Sequence, residues 1–519
     1  MAIYLSKMMQ LRNITPSSQQ KWWDKIHIVA AVGFFIRIIV ALRSEQIHHP
    51  DEIFQYLEQS HRLVFQYGYI PWEYRFGIRS WLLPGFLSLL LLICRLLRLD
   101  DPNVYIPFVK VILCAISVSL IYSAYIIGRN IASETVGRFA SLLTCFWYEL
   151  IYFSSRPTPE VLSTYLVMAA LGLATLPLQR QKPILSGFLC ALAGILRFQY
   201  CPTIAILLLY QCLRWRKKEV LASGLTVMLA IVFAGYIDHL TLGKFFVSYY
   251  NNYLFNSVYK VSEVFGTEPP AYFLENLMIC SVGIFPITII LGLTRIKKIG
   301  LLCLCASTTV FFHSLIAHKE HRFIFLVIPI CLIITAVILA DGVLPYQSKN
   351  IGKKILSYLL AAFILITSIG SSFLIFPLQN IYIKTAFGQS SSIVSQQAIL
   401  KAYLLLFKQS DLVAILNTFS PWYQTGGYYY LHRDIPIYFP EQLKQIDREK
   451  IGLYVSHIVC HFGDATIPNF VSMYRIGDLE IRKQIYPPAT YESLSIDTKN
   501  ILQPEVDGRY KPMIKPLFH

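Results

Sequence analysis

Long apolar runs follow one another through residues 26–377, parted by short polar loops, and leave this chain few folds to choose from. Runs such as 104–127 (broken only by Lys110), 220–237 and 355–377 fall in the range of ~17–25 residues that crosses ~30 Å of hydrocarbon as a helix. In lipid every backbone hydrogen bond must be satisfied within the protein, so runs of this kind read as membrane helices. Soluble domains carry about a quarter charged residues, whereas the charged fraction here is 15%. The expected class is an all-α polytopic membrane protein.

The apolar runs are 26–42, 80–97, 104–128, 139–154, 161–177, 183–197, 202–213, 220–237, 273–293, 299–316, 323–340 and 355–377. Basic clusters stand at Lys21/Lys25, Arg129/Arg138, Arg180/Lys182, Arg214/Arg216/Lys217/Lys218, Arg295/Lys297/Lys298 and Lys349/Lys353/Lys354. If every run crossed, the first cluster would face one side and all later ones the other. If 80–97 does not cross, all of them share the cytoplasmic side, as the positive-inside rule requires. That run lies between Arg79 and Arg98, opens Ser80-Trp81 and contains Pro84 and Arg95, which suits a helix in the interface plane. The reading is eleven spans, with the N-terminus cytoplasmic and the C-terminus on the outer or luminal face. Residues 1–25 form a cytoplasmic tail and 26–377 the transmembrane body. No small-residue cleavage signature follows 26–42, so this run is a retained signal-anchor. Residues 378–519 mix charges, Pro and aromatics, which predicts a small mixed α/β domain on the outer face with strands near 411–416 and 451–460.

The net charge of +16 is explained by the loop clusters, and nothing resembles a basic, aromatic-interleaved nucleic-acid surface. Of eleven cysteines, only Cys460 falls in the polar C-terminal part, which excludes an internal disulfide there. The others sit in or beside apolar runs, where Cys is a small apolar residue.

The parity argument places the chemically unusual loops on one face. The first outer loop reads His48-His49-Pro50-Asp51-Glu52. Pro and acids at a helix start suit the helix dipole, but adjacent carboxylates beside two imidazoles also suit a general base. Arg156 and Glu160 flank two prolines in the next outer loop, and either pair or place a second carboxylate near the first. Arg197, Asp238 and Lys244 lie at later outer turns. The segment His318-Lys319-Glu320-His321-Arg322-Phe323 sets five ionisable residues at a span boundary, where they must pair or bind. Arg and Lys suit a phosphate. His318 and His321 have a metal-compatible spacing, but no third ligand is specified, and no metal is expected.

On these segments the chain resembles glycosyltransferase family 22, the mannosyltransferases that use dolichyl-phosphate-mannose. The resemblance rests on His49-Pro50-Asp51-Glu52 and on the 318–323 segment, supported by residues 61–69, Trp72-Glu73, Arg79-Ser80, Asp238 with Gly243-Lys244, and Gly266-Thr267-Glu268-Pro269. Within the family it is most similar to the branch that adds the third mannose of GPI anchors, and to bacterial relatives. A difference is Glu268-Pro269-Pro270-Ala271, where that branch has a stretch rich in His, Pro and Trp. The resemblance implies the GT-C membrane fold and an inverting transfer from a polyprenyl (dolichyl) phosphate to a glycolipid or lipid-linked glycan, without cofactor. It implies Asp51 as base with Glu52 beside it; His318, Lys319 and Arg322 on the donor phosphate; and His49, Arg156, Glu160, Arg197, Asp238, Lys244, Glu320 and His321 in binding or supporting roles. The membrane would be the ER in a eukaryote or the inner membrane in a bacterium. Transfer of another polyprenyl-linked sugar, a non-catalytic lipid-binding subunit, or a transporter are the competing readings. Transporters place ionisable groups at the midplane, whereas here they gather in loops.

Overall fold

The computed structural model describes residues 16–43, 47–281, 283–340, 362, 366, 393–442, 448–492, 494, 498 and 499. The cluster Lys349/Lys353/Lys354, nearly all of run 355–377 and the boundary at 378 lie outside the described residues. Besides the short helices Trp72–Arg75 and Tyr148–Tyr152, the helices in chain order are α1 (Pro16–Arg43), a π-helical stretch Glu52–Leu57, α2 (Glu58–Phe65), α3 (Leu82–Leu96), α4 (Pro102–Ser117), α5 (Ser119–Ile131), α6 (Glu134–Phe146), α7 (Pro159–Thr175) and α8 (Pro183–Leu196). They continue as α9 (Cys201–Cys212), α10 (Lys217–Leu242), α11 (Val247–Tyr253), α12 (Tyr272–Cys280), α13 (Ile284–Gly292), α14 (Ile296–Ser314), α15 (Val327–Ile338), α16 (Ile393–Phe407) and α17 (Gly427–Leu431).

Several starts follow from local sequence. Asp101 caps α4 by accepting from Asn103 N at 2.7 Å, with Pro102 in the first position. Ser133 accepts from Val136 N at the start of α6, and Pro159 and Pro183 open α7 and α8. Such residues satisfy or remove backbone N–H groups that have no partner within the helix.

Among the described residues three helices are long and apolar enough to cross a membrane, Lys25–Arg43, Pro102–Ile131 and Lys217–Leu242, or four if the bent pair Tyr272–Cys280 with Ile284–Ser314 counts as one. Length alone therefore does not reach eleven spans; the remaining apolar helices are shorter. Helix α10 turns Leu221, Leu225, Met228, Leu229, Val232 and Phe233 outward, a surface that suits lipid rather than water. Helix α15 is buried all round, as a helix apolar on every face should be. Helix α3 has 15 residues, about 22 Å of rise, and is one of several apolar helices shorter than the hydrocarbon is thick. It buries Leu83, Leu87 and Leu91 and exposes Leu89, Leu92 and Leu96.

Three sequence expectations are corrected. Run 139–154 is not one helix: α6 ends at Phe146 and Trp147 is extended. The break is held by Trp147 Nε1 donating to Glu149 Oε2 at 2.8 Å and by Arg37. Arg37, buried within α1, donates to Thr144 O and Cys145 O at 3.1 Å each, carbonyls that the end of α6 leaves free. Run 273–293 breaks between α12 and α13, where Gly283 has φ +78°, a conformation glycine adopts without strain. The runs are also less free of charge than they looked, since Arg37 and Glu149 are both buried within them.

Five strands, β1 (Ile415–Asn417), β2 (Ile437–Tyr438), β3 (His457–His461), β4 (Phe470–Ile476) and β5 (Leu479–Gln484), form a mixed sheet in the order β2-β1-β3-β5-β4. Strand β1 runs parallel to both neighbours, while β3, β5 and β4 pair antiparallel. The strands start later than sequence placed them, because residues 448–453 form a 3-10 turn instead. Ile415, Val459 and Ile481 join the same apolar core as the loop 47–69 and the helices, so the sheet is packed onto the body.

Candidate active site

The first outer loop enters α2 through a widened turn. Pro50 starts the helical path, and Glu52–Leu57 is π-helical, an arrangement that is uncommon and recurs at functional positions. The two neighbouring acids turn to different partners. Glu52 is buried, its Oε1 accepting from His48 N at 2.9 Å and from Arg156 Nη1 at 2.8 Å. Arg156 in turn lies 4.1 Å over the Tyr152 ring. Asp51 keeps 20% of its side chain exposed, so of the two it is the carboxylate a substrate can reach.

Asp51 is held at both oxygens. Gln55 Nε2 donates to Oδ1 at 2.8 Å, and Arg322 Nη2 donates to Oδ2 at 2.7 Å. His49 Nδ1 lies 3.3 Å from Oδ2. Burial alone would raise the Asp51 pKa, but His49 and Arg322 outweigh it and hold the carboxyl below its ordinary range. Arg322 also grips Glu320, with Nε 2.6 Å from Oε2. His318 Nε2 lies 3.0 Å from Glu320 Oε1, and its Nδ1 2.8 Å from Gly266 O. With an acceptor at each ring nitrogen the imidazolium is favoured: burial lowers the His318 pKa, yet Glu320 and Gly266 raise it on balance. Glu320 is pushed well below its ordinary value, Arg322 and His49 overcoming burial.

The structure therefore joins His49, Asp51, His318, Glu320 and Arg322 in one network drawn from residues far apart in sequence. Lys319 turns aside, Nζ donating to Glu268 O at 2.7 Å. Around the network stand two buried ion pairs, Glu52–Arg156 and Glu160–Arg197 at 2.9 Å, and the buried hydrogen bond between His321 and Glu149 at 2.8 Å. Asp238 is not part of it; its Oδ2 accepts from Ser248 N and Oγ at 2.9 and 2.6 Å and fixes the turn into α11. Lys244 is exposed. His318 and His321 turn to different carboxylates and do not make a joint metal pair. Glu149, Cys280 and His321 do bring three ligand-type atoms within 4.8 Å of one another, but Glu149 and His321 already satisfy each other by hydrogen bond.

Sequence reasoning missed several members. Gln55 bridges two carboxylates: the same Nε2 that bonds Asp51 lies 2.7 Å from Glu73 Oε1. Burial, reinforced by the Asp51 charge, pushes Glu73 up to about 7. Glu149 was hidden inside an apolar run. Arg79 was noted only as part of a motif, although it carries a buried Nε without a hydrogen-bond partner.

A family model described as the Alg9-like mannosyltransferase family matches residues 28–432. GPI mannosyltransferase 3 of Yarrowia lipolytica is 27% identical over 439 residues, which cover 83% of this chain and 79% of that one. GPI alpha-1,2-mannosyltransferase 3 of Homo sapiens is 26% identical over 314 residues, and the match spans just over half of each, 57% and 55%. Among solved structures, ArnT from Cupriavidus metallidurans bound to undecaprenyl phosphate superposes with a TM-score of 0.56 at 10% identity, over 93% of this chain and 99% of that one. That likeness establishes the GT-C architecture and nothing finer.

Proposed function

The chain belongs to the Alg9-like mannosyltransferase family, and from that membership we propose that it moves one mannose from a polyprenyl-phosphate donor to the glycan of a GPI-type lipid, with inversion, at Asp51. That it is a membrane mannosyltransferase follows from the family and its relatives; donor, acceptor and residue roles are our reading. An acceptor hydroxyl hydrogen-bonds Asp51 and attacks C1 of the donor mannose from the face opposite the phosphate. The C1–oxygen bond breaks, the lipid phosphate leaves with the electron pair, and the hydroxyl proton passes to Asp51. A carboxylate placed this way is a suitable base, and the phosphate leaving group needs cations rather than a cofactor or metal.

The observation that carries the reading is Asp51 itself, a part-exposed carboxylate aimed by a buried arginine, Arg322. Gln55 and Arg322 fix both oxygens while leaving part of the side chain open. The cations the sequence suggested for the donor phosphate are here engaged elsewhere: His318 and Arg322 with Glu320, and Lys319 with a backbone carbonyl. In this reading Arg322 keeps Asp51 ionised and aimed. The site faces the ER lumen in a eukaryotic cell, with residues 378–519 on the same side, the N-terminus in the cytoplasm and eleven spans between them. The Yarrowia and human relatives, both named for GPI glycans, favour this acceptor over a bacterial envelope glycan.

The test is transfer by purified protein from labelled polyprenyl-phosphate-mannose to a membrane lipid extract, wild type against Asp51→Asn. We expect a labelled glycolipid with wild type only, both proteins melting alike. Persistent transfer by the variant removes Asp51 as base, and no transfer by wild type removes the donor or acceptor.

A further inference from the structure

The amide that fixes Asp51 has a second carboxyl on its other hydrogen. Gln55 Nε2 donates to Asp51 Oδ1 at 2.8 Å and to Glu73 Oε1 at 2.7 Å, so one nitrogen serves two acids. The residue after Glu73 grips the same glutamine by its main chain, Tyr74 Oη donating to Gln55 O at 2.7 Å. Gln55, Glu73 and Tyr74 are all buried, where polar groups need partners. Glu73 and Tyr74 ride on the short helix Trp72–Arg75, which has its own anchorage. Trp72 packs with Phe76, Ile78, Phe255 and Val261, and the Glu73 carbonyl accepts from Ile78 N at 2.7 Å. The short helix thus holds Gln55 at two points, and Gln55 holds Asp51.

What this strut does depends on the charge of Glu73. Two carboxylates on one amide repel each other, and the amide has no charge with which to neutralise either. Asp51 faces His49, Arg322 and Glu320, and the first two keep it ionised. Glu73 faces the Asp51 carboxylate, the Arg79 guanidinium, the Tyr74 phenol and the Gln55 amide. Burial and then the Asp51 charge raise it to about 7, against the smaller opposing pull of Arg79. Neutral, Glu73 offers Gln55 a carbonyl oxygen, and Asp51 is the stronger acceptor of the two. Ionised, it competes for the same nitrogen as a full carboxylate. The added charge also makes Asp51 a stronger base, but a misplacement of about 1 Å costs roughly a hundredfold, so the loss of aim governs.

We propose that Glu73 is a positioning residue for the sugar transfer, acting on Asp51 through Gln55: as a neutral carboxyl it is the far anchor of the amide that aims Asp51, and on ionising it draws that amide away. This role rests on Asp51 being the base. The acceptor proton still passes to Asp51, and the proton on Glu73 goes to neither sugar nor phosphate. Transfer then has an alkaline limit that Asp51 itself, ionised throughout, does not set.

The experiment has two readouts on the full chain in nanodiscs. Infrared spectra of wild type minus Glu73→Gln isolate the protonated Glu73 carboxyl without any substrate. Its band should be present at about pH 6 and fade through about pH 7. In an Asp51→Asn background it should fade at lower pH, because the like charge is gone. A band absent at about pH 6, or a midpoint that Asp51→Asn leaves in place, overturns the proposal. Transfer from polyprenyl-phosphate-mannose is the second readout. Glu73→Ala should lower kcat roughly ten- to a hundredfold with KM near that of wild type. Glu73→Gln should recover most of that loss and lack the decline that wild type shows above about pH 7. In a Gln55→Met background Glu73→Ala should cost nothing further, and an additive loss overturns the action through Gln55. Transfer that persists in Asp51→Asn removes the base and the role of Glu73 with it. An inert Asp51→Asn beside a fully active Glu73→Ala removes the role of Glu73 alone.

Discussion

Arg322 holds Asp51 Oδ2 at 2.7 Å through one guanidinium nitrogen and Glu320 Oε2 at 2.6 Å through another, bridging the first outer loop and the turn before α15. Together with His49 it keeps the Asp51 carboxyl below its ordinary range. Arg322→Ala removes the guanidinium that lowers it, so the Asp51 pKa rises. The acid limb of kcat/KM, set by ionised Asp51, should move to higher pH, and activity should fall by roughly a hundredfold or more as the base loses its aim. A pH–rate profile of the variant checks this; an unmoved acid limb would mean Arg322 does not act on Asp51.

Glu73 titrates where Asp51 does not. Burial and the Asp51 charge place it at about 7, and Gln55 links the two. A carboxyl whose folded pKa is raised contributes stability that is complete below about 4.5 and is lost as pH rises through about 7. Glu73→Gln should therefore gain in melting temperature relative to wild type at pH 8 and not at pH 4.5. If both proteins melt with the same pH dependence, Glu73 is not neutral in the folded state.

The network was legible in sequence where its members crowd into loops. Asp51 and Arg322 stand among other ionisable residues at span boundaries, where lipid physics leaves them little structural excuse. Glu149 and Arg37 were not legible, because one charge inside an apolar run hardly changes its mean hydropathy. Their partners, His321 and the carbonyls of Thr144 and Cys145, come from distant segments. Residue type alone could not tell Asp51 from Glu52, and only the family resemblance singled out Asp51, since the widened turn that sends Glu52 to Arg156 and Asp51 to Arg322 leaves no compositional mark. In the C-terminal part strands were expected near 411–416 and 451–460, and their limits shifted while the parallel and antiparallel pairing was not read at all, because short strands are specified by pairing as much as by propensity.

Glu58 joins the first outer loop to the sheet region. Its carboxylate accepts from Tyr69 N, Tyr428 N and Tyr429 N at 2.8, 3.2 and 2.8 Å. Gly427, at φ +58°, leaves room for it, since a Cβ there would stand 2.6 Å from Glu58 Oε2. Glu58→Ala should destabilise by about 3 kcal/mol by leaving buried N–H groups unmet. Gly427→Ala should cost about 1–3 kcal/mol from backbone strain and the collision. Thermal unfolding in detergent measures both, and a wild-type melting point for Gly427→Ala would show the junction to be loose.

His321 and Glu149 share a bond of 2.8 Å, both side chains almost wholly buried, one residue from Arg322 and two from Trp147. Removing one member of a buried hydrogen-bonded pair leaves the other without that partner, at about 1–3 kcal/mol. His321→Ala should therefore lower the melting temperature sharply, and transfer should fall with it because Arg322 is carried by the same turn. The double variant Glu149→Gln with His321→Ala removes the stranded carboxylate as well, and should recover part of the stability. Equal melting of His321→Ala and wild type would mean that the pair holds nothing in place. Recovery of stability without recovery of transfer would show that the pair serves to aim Arg322 at Asp51 rather than merely to fill the core.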